Sequence, residues 1–364
     1  VDLSVGTPVD PVPAVIRDAL AAAANAPGYP TTHGTARLRE AAAGWLARRH
    51  GVSVPAAAVL PVIGTKEFIA ALPALLGCGP GDCVAYPELA YPTYDIGARL
   101  AGAHAVAADL TGDPGEEDRE KISAITFGRQ PLPAPLRLLW VNSPSNPTGR
   151  VLSAARLRAI VRSARAAGAV VASDECYLDL GWSARPVSIL HPDVSAETPK
   201  GLLAVHSLSK RSNMAGYRAG FVTGDPELIA DLLEIRKHAG MMMPAPVQAA
   251  MAAALDDDTH ADEQRARYAA RRERLASALT GAGWLIEHSE AGLYLWATRP
   301  GHDCWACVQV LAGAGILVAP GEFYGPAGRH HIRVALTATD ERIDAAAARL
   351  AALPPAALPP AALP

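Results

Sequence analysis

The sequence predicts an α/β protein with a mostly parallel central sheet flanked by helices, plus a smaller α+β domain built from both chain ends. Three observations predict it. Short apolar runs recur between amphipathic helical stretches, the pattern of βα units whose strands are buried on both faces. The 364 residues exceed one small domain, and half of them are hydrophobic against 19% charged, so a large core is available. Beyond a long charged helical stretch at 259–281, a second set of strand and helix signals follows, as a separate lobe requires.

In chain order, residues 36–50 (ARLREAAAGWLARRH) read as an amphipathic helix. The runs 59–63 (VLPVI), 82–86 (DCVAY), 137–141 (RLLWV), 169–173 (AVVAS) and 202–206 (LLAVH) read as buried parallel strands. Residues 153–167 form a helix that Ser153 caps and Gly168 closes. After 259–281 come a strand at 293–297, a helix near 303–313, a strand at 331–336 and a last helix near 338–351. The expected division is a large domain at 36–255 and a small domain made of 1–35 and 256–351. Residues 111–135, rich in Asp, Glu, Pro and Gly, read as a loop or insertion, and 352–364 as a frayed Pro/Ala-rich tail.

Composition excludes several function classes. The net charge is −3 and the basic residues are dispersed, which argues against a nucleic-acid or membrane-surface partner. No apolar run reaches the roughly 18 residues that span a bilayer, and the start shows no signal-peptide pattern. The chain begins at Val1 without a Met, consistent with removal of a leader or arm. Five cysteines in a long chain point to reduced thiols and a cytoplasmic location. Cys304 and Cys307 form a lone C-x-x-C, read as one side of a helix, so no metal site is expected.

The densest chemistry lies at 203–221, LAVHSLSKRSNMAGYRAGF. A strand-like run ends in Ser207, Ser209 and Lys210, and Arg218 follows eight residues after the lysine. A buried amine loses its charge more readily than an ordinary lysine, whose pKa is about 10.4, and a neutral amine is what Schiff-base chemistry needs. The two serines and the arginine fork suit a dianionic phosphate. The turn VNSPSNPTG follows RLLWV, where open α/β sheets place ligands. The strand VVAS ends in Asp174 and Glu175, and a buried carboxylate there needs a partner.

Taken together, these segments resemble the class I/II aminotransferases of fold type I, over essentially the whole chain. The shared spacings are 28 residues from Asn146 to Asp174, three from Asp174 to Tyr177 and eight from Lys210 to Arg218. The resemblance implies an aminotransferase-like fold, pyridoxal 5'-phosphate as cofactor, and a homodimer acting on small amino acids and 2-oxo acids. Lys210 resembles the Schiff-base lysine that also moves the substrate proton. Asp174 resembles the partner of the ring nitrogen, and Tyr177 with Asn146 the pair at the ring oxygen. Ser207, Ser209 and Arg218 resemble phosphate ligands. In IGTKEF, Gly64, Thr65 and Lys66 sit where a helix start meets the phosphate. Tyr91 resembles the aromatic stacked on the ring, and Tyr29 a tyrosine that reaches the neighbouring subunit's phosphate. Arg333, in HHIRVALT, resembles the arginine that grips the substrate α-carboxylate, and Gly6, in LSVGTPVDP, a glycine whose backbone meets the substrate. Glu88 and Tyr94 flank Tyr91 without an assigned role, and His330 and His331 read as surface residues.

Stretches such as APGYPTTHGTARLRE, PELAYPTYDIGARLAG, SDECYLDLGW and ILVAPGEFYGP are most similar to N-succinyldiaminopimelate aminotransferases. This likeness implies ping-pong transfer between N-succinyl-LL-2,6-diaminopimelate and 2-oxoglutarate/glutamate in lysine biosynthesis. A distal carboxylate would then need a cation, with Lys66, Arg211, Arg236, Lys237 and Arg17 as candidates. Aspartate, aromatic or other transamination, and C–S bond cleavage, use the same residues and stay open. A PLP-sensing regulatory domain is the alternative of another class.

Overall fold

The structure, a computed structural model, describes residues 1–112, 125, 132–196 and 198–353. The expectations for 111–135 and the Pro/Ala tail therefore fall largely outside the described residues.

Seven strands form the main sheet: β1 (Val59–Ile63), β2 (Cys83–Pro87), β3 (His104–Ala108), β4 (Leu136–Asn142), β5 (Val170–Asp174), β6 (Leu202–Ser207) and β7 (Ala219–Gly224). Their order is β1-β7-β6-β5-β4-β2-β3, and β3, β2, β4, β5 and β6 pair in parallel. The sequence predicts this mostly parallel sheet, and it is found. β1 departs in detail: it pairs only with β7, and antiparallel. The cause is the short 208–218 connection, too tight for a crossover, so β7 turns back along β6 and separates it from β1.

That reversal places the chemistry. Ser207 at the end of β6 pairs with Gly220, and Ile63 at the end of β1 pairs with Ala219. The exits of β6 and β1 therefore meet the entry of β7, which brings Ser207, Gly64 and Arg218 to one edge. On the other side, Asn142 pairs with Asp174, and Asp174 with Val205, so β4, β5 and β6 end level with one another.

The smaller sheet contains β8 (Leu285–Glu287), β9 (Tyr294–Thr298), β10 (Ala319–Pro320) and β11 (His331–Ala335), in the antiparallel order β10-β11-β9-β8. The long helix Thr259–Gly281 packs there through Tyr268, Leu275 and Leu279. Residues 1–35 do not go wholly with this lobe, as the sequence suggests they should. Leu3 packs into the small core, whereas Ile16 of the helix Ala14–Ala22 is buried in the large one. That helix shows only one buried position, and its apolar side meets the alanine-rich helix Ala245–Asp256 rather than the small sheet. Cys304 and Cys307 are free and buried on the helix Cys304–Gly313. Among the described residues no cluster of acidic, His and Cys side chains could hold a metal. No helix there is long and apolar enough to cross a membrane.

Candidate active site

The parallel strands end abruptly in polar residues, and those residues form the floor of the site. Asp174 is 6% exposed. Its Oδ2 accepts the Tyr94 hydroxyl at 2.8 Å, and its Oδ1 accepts the Cys176 backbone N–H at 3.2 Å. Burial pushes its carboxyl up, and these donors only partly offset it. A cation facing Asp174 would relieve that cost. Asn142, the first polar residue after the apolar run of β4, ties the floor together. Its Nδ2 donates to the Asp174 carbonyl at 3.0 Å, and its Oδ1 accepts the Asn146 N–H at 2.7 Å.

Lys210 lies on the turn after β6, with Ser207 capping that turn through the Ser209 N–H at 3.1 Å. Its Nζ donates to the Gly6 carbonyl at 2.5 Å. Burial pushes the ammonium down, towards the neutral amine.

At the edge where β1 and β7 meet, Gly64 has φ +76°, and a Cβ there would overlap the Arg218 guanidinium. The guanidinium thus lies against Gly64, immediately before the helix Thr65–Leu75. No side chain caps that helix, so its first N–H groups remain open to an acceptor. Open helix N–H groups, hydroxyls and an arginine on one side form a phosphate cradle in their chemistry. The buried acid, an amine whose ammonium form burial disfavours, and this cradle together fit pyridoxal phosphate. Gly64, Thr65, Ser207, Ser209 and Arg218 suit its phosphate, and Asp174 its ring nitrogen. Tyr91 is half-buried, and the Lys66 ammonium lies 5.6 Å over its ring; Lys66 itself is exposed.

Arg333 projects from β11, 7% exposed, between the rings of Tyr294 (3.9 Å) and Tyr324 (4.7 Å). One terminal nitrogen donates to Asn146 Oδ1 at 2.9 Å and the other to the Ser4 carbonyl at 2.7 Å, while Nε finds no acceptor. No carboxylate pairs with it among the described residues, which leaves a buried cation lacking a counter-charge. The N-terminal segment closes over this clamp. Leu3 N–H donates to the Leu317 carbonyl, Ala335 N–H to the Leu3 carbonyl, and the Thr337 hydroxyl to the Val5 carbonyl. Gly6 is required where it stands, since a Cβ would overlap the Tyr294 hydroxyl.

Contacts link most of the expected residues: Gly64 meets Arg218, Thr65 meets Cys176 beside Asp174, Lys210 and Tyr177 reach Gly6 and Tyr294, Arg333 holds Asn146, and Ser207 caps the turn that carries Ser209 and Lys210. Tyr29 stands apart, 93% exposed. Three of the cations considered for a distal carboxylate are engaged elsewhere. Arg211 is buried and donates to Asp179 at 2.7 Å, Arg236 forks onto Glu67 at 2.7 and 3.0 Å, and Lys237 pairs with Glu234. Sequence reasoning leaves Tyr94 without a role and overlooks Asn142, Tyr294 and Tyr324. Only Asn142 carries a local signal, as the polar residue ending an apolar run. His331, expected at the surface, stacks on Trp296 at 4.9 Å and meets Glu287 at 3.0 Å.

Comparison with known proteins agrees with this geometry. Residues 1–350 match the family described as aminotransferase class I and II. The chain is 60% identical over 350 residues to 4-dedimethylamino-4-oxo-anhydrotetracycline transaminase OxyQ of Streptomyces rimosus, covering 96% of this chain and 92% of that one. It is 61% identical to probable aminotransferase Rv1178 of Mycobacterium tuberculosis, over 96% of this chain and 80% of that one. An LL-diaminopimelate aminotransferase of Dehalococcoides mccartyi is 34% identical, over 96% and 90%. Among solved structures, a probable N-succinyldiaminopimelate aminotransferase of Thermus thermophilus superposes with a TM-score of 0.83 at 30% identity, over 96% and 94%.

Proposed function

We propose, because this chain belongs to the class I and II aminotransferases, a family of pyridoxal-phosphate enzymes, that it transfers an amino group between glutamate and N-succinyl-LL-2,6-diaminopimelate. The observation that carries the amino-acid reading is Arg333, a buried fork with no counter-charge among the described residues. An α-carboxylate supplies that charge and the planar match. Pyridoxal phosphate, when bound, supplies the electron-accepting ring. The chain's residues do the rest. Asp174 would hold positive charge at the ring nitrogen, and Asn146 and Tyr177 would hydrogen-bond the ring oxygen. Lys210 Nζ takes the proton from the substrate Cα, and the segment around Gly6 excludes water. Stretch likeness and the structural relative at 30% identity support the succinylated substrate. Lys66, exposed beside Tyr91, and Arg17, also exposed, then remain the candidates for a distal carboxylate.

The 60% identity to OxyQ favours a second reading, amination of a polycyclic ketone such as 4-dedimethylamino-4-oxo-anhydrotetracycline. A panel separates the two. The holoenzyme is offered N-succinyl-LL-2,6-diaminopimelate, free LL-diaminopimelate, aspartate, an aromatic amino acid and cystathionine, and conversion of the cofactor to its amine form is scored. Glutamate-loaded enzyme is then offered the polycyclic ketone. The succinylated substrate is expected to lead by about tenfold or more, the equivalent of roughly 1.4 kcal/mol. A lead for the ketone transfers the assignment to the second reading, and pyruvate release from cystathionine would indicate C–S cleavage.

The same reading makes the enzyme a homodimer in which Tyr29, bare in the single chain, hydrogen-bonds the phosphate in a second copy's site. Tyr29→Phe is expected to weaken cofactor retention about tenfold, the scale of one hydrogen bond to a charged group. The dimer mass by sedimentation should not change. Unaltered cofactor affinity in that variant would place Tyr29 outside the site.

A further inference from the structure

Arg211, too buried to meet a substrate, belongs to an ion pair that no role described so far uses. Its Nε donates to Asp179 Oδ2 at 2.7 Å, and the two side chains are 5% and 6% exposed. A terminal nitrogen donates to the Ala254 carbonyl at 2.9 Å, and the guanidinium lies 5.4 Å from the ring of Trp45. Arg211 is thereby fastened to the helices Ala36–His50 and Ala245–Asp256. His50 Nε2 stands 3.1 Å from the other Asp179 oxygen.

The two partners sit on the two segments that carry the proposed chemistry. Arg211 directly follows Lys210 and ends the single turn Leu208–Arg211. Asp179 lies two residues after Tyr177 and five after Asp174. Its segment is folded by the Leu178 N–H on the Glu175 carbonyl at 3.0 Å and the Leu180 N–H on the Tyr177 carbonyl at 2.9 Å. One helical turn has too few internal hydrogen bonds to hold itself. Ser207 caps its start, and Arg211 anchors its end. Lys210 stands between these two fixed points, with Nζ on the Gly6 carbonyl.

We infer that Asp179 is a positioning residue for Lys210, acting through Arg211. The buried pair braces the turn that carries the amine against the segment that carries Asp174. The inference rests on the proposed role of Lys210 and deepens it. A charge-assisted hydrogen bond from a planar guanidinium fixes direction as well as distance. Displacing a reacting group by about 1 Å can cost about 10²-fold in rate. The brace is therefore read in the rate of proton transfer and not in substrate affinity.

The test compares Asp179→Asn and the double variant Asp179→Asn/Arg211→Gln with the wild-type holoenzyme. Single-turnover conversion of the bound cofactor by glutamate gives a maximal rate and a half-saturating concentration. Both are expressed per cofactor-loaded site, so lost folding or loading does not enter. Asp179→Asn is expected to lower the rate about 10–10²-fold and to keep half-saturation within about threefold. The double variant leaves no lone buried charge, so it carries the test if the single variant does not fold, and it should be slow as well. Asp179→Asn is then added to Lys210→Ala, with methylamine supplied as the proton carrier. There it should change the rate by less than about twofold, because a dissolved amine needs no brace. A wild-type rate per loaded site in Asp179→Asn and the double variant overturns the inference and leaves the Lys210 reading intact. An undiminished loss in the Lys210→Ala background does the same. Transfer at wild-type speed in Lys210→Ala without methylamine overturns the Lys210 reading, and the brace with it.

Discussion

Lys210→Ala is expected to lower amino-group transfer by at least about 10³-fold, within the range that a positioned proton-transfer group contributes. Lys210 is the amine proposed to move that proton, since it is half-buried, pushed towards neutrality and held by the Gly6 carbonyl at 2.5 Å. Arg333 and Arg218 also face it, but a guanidinium stays charged in proteins and cannot take a proton from carbon. The checking measurement is single-turnover conversion of the bound cofactor by glutamate, read with the absorbance band near the visible edge. The wild-type band should vanish with borohydride, and in the variant it should not form. Cofactor is still expected to bind, since the cradle of Gly64, Thr65, Ser207 and Arg218 is untouched. Transfer at wild-type speed in Lys210→Ala would remove the lysine from the mechanism and the proposed function with it.

What the sequence discloses about this site follows from how local each signal is. The parallel strands are mainly apolar and turn polar at their ends, at Asn142, at Ser173 with Asp174 and at His206 with Ser207, so the switch marks the rim without any tertiary knowledge. Glycines announce themselves where backbone must approach closely, as at Gly6 and Gly64. The rest depends on register. Tyr94 reaches Asp174 across 80 residues of chain and Tyr177 meets Tyr294 across 117, and no periodicity encodes either pair. The basic residues show the same limit. Arg211, Arg218 and Arg236 look alike in sequence, yet Asp179 and Glu67 neutralise two of them while the third lies at the cradle. Whether a cation is available to a ligand is decided by which acid the fold delivers to it. The placement of Arg218, in turn, follows from the antiparallel return of β7, which a short connection imposes and which apolar runs alone do not specify.

Asp174→Asn separates the cost of a buried acid from its use. In the wild-type apoprotein, burial raises the Asp174 carboxyl above its ordinary value, and the Tyr94 and Cys176 donors offset this only in part. The sign follows from linkage: a carboxyl raised on folding favours the protonated folded state, so its contribution is present below the unfolded value and is lost as pH rises through the folded one. Above the folded value the ionised acid therefore weighs against the apoprotein. The isosteric amide can still accept from Tyr94. Apo Asp174→Asn is thus expected to melt at or above the wild-type temperature at neutral pH, with the difference shrinking as pH falls towards the ordinary carboxylate range. Activity should move the other way. An amide cannot hold positive charge at the ring nitrogen, and losing one preorganised electrostatic partner costs about 10²–10³ in kcat. Thermal melting of the apoprotein across pH, set beside glutamate turnover of the holoenzyme, reads both effects on one variant. Should turnover survive the substitution within a few-fold, Asp174 would be a structural acid satisfied by Tyr94, and the site would lack the charge that its chemistry needs.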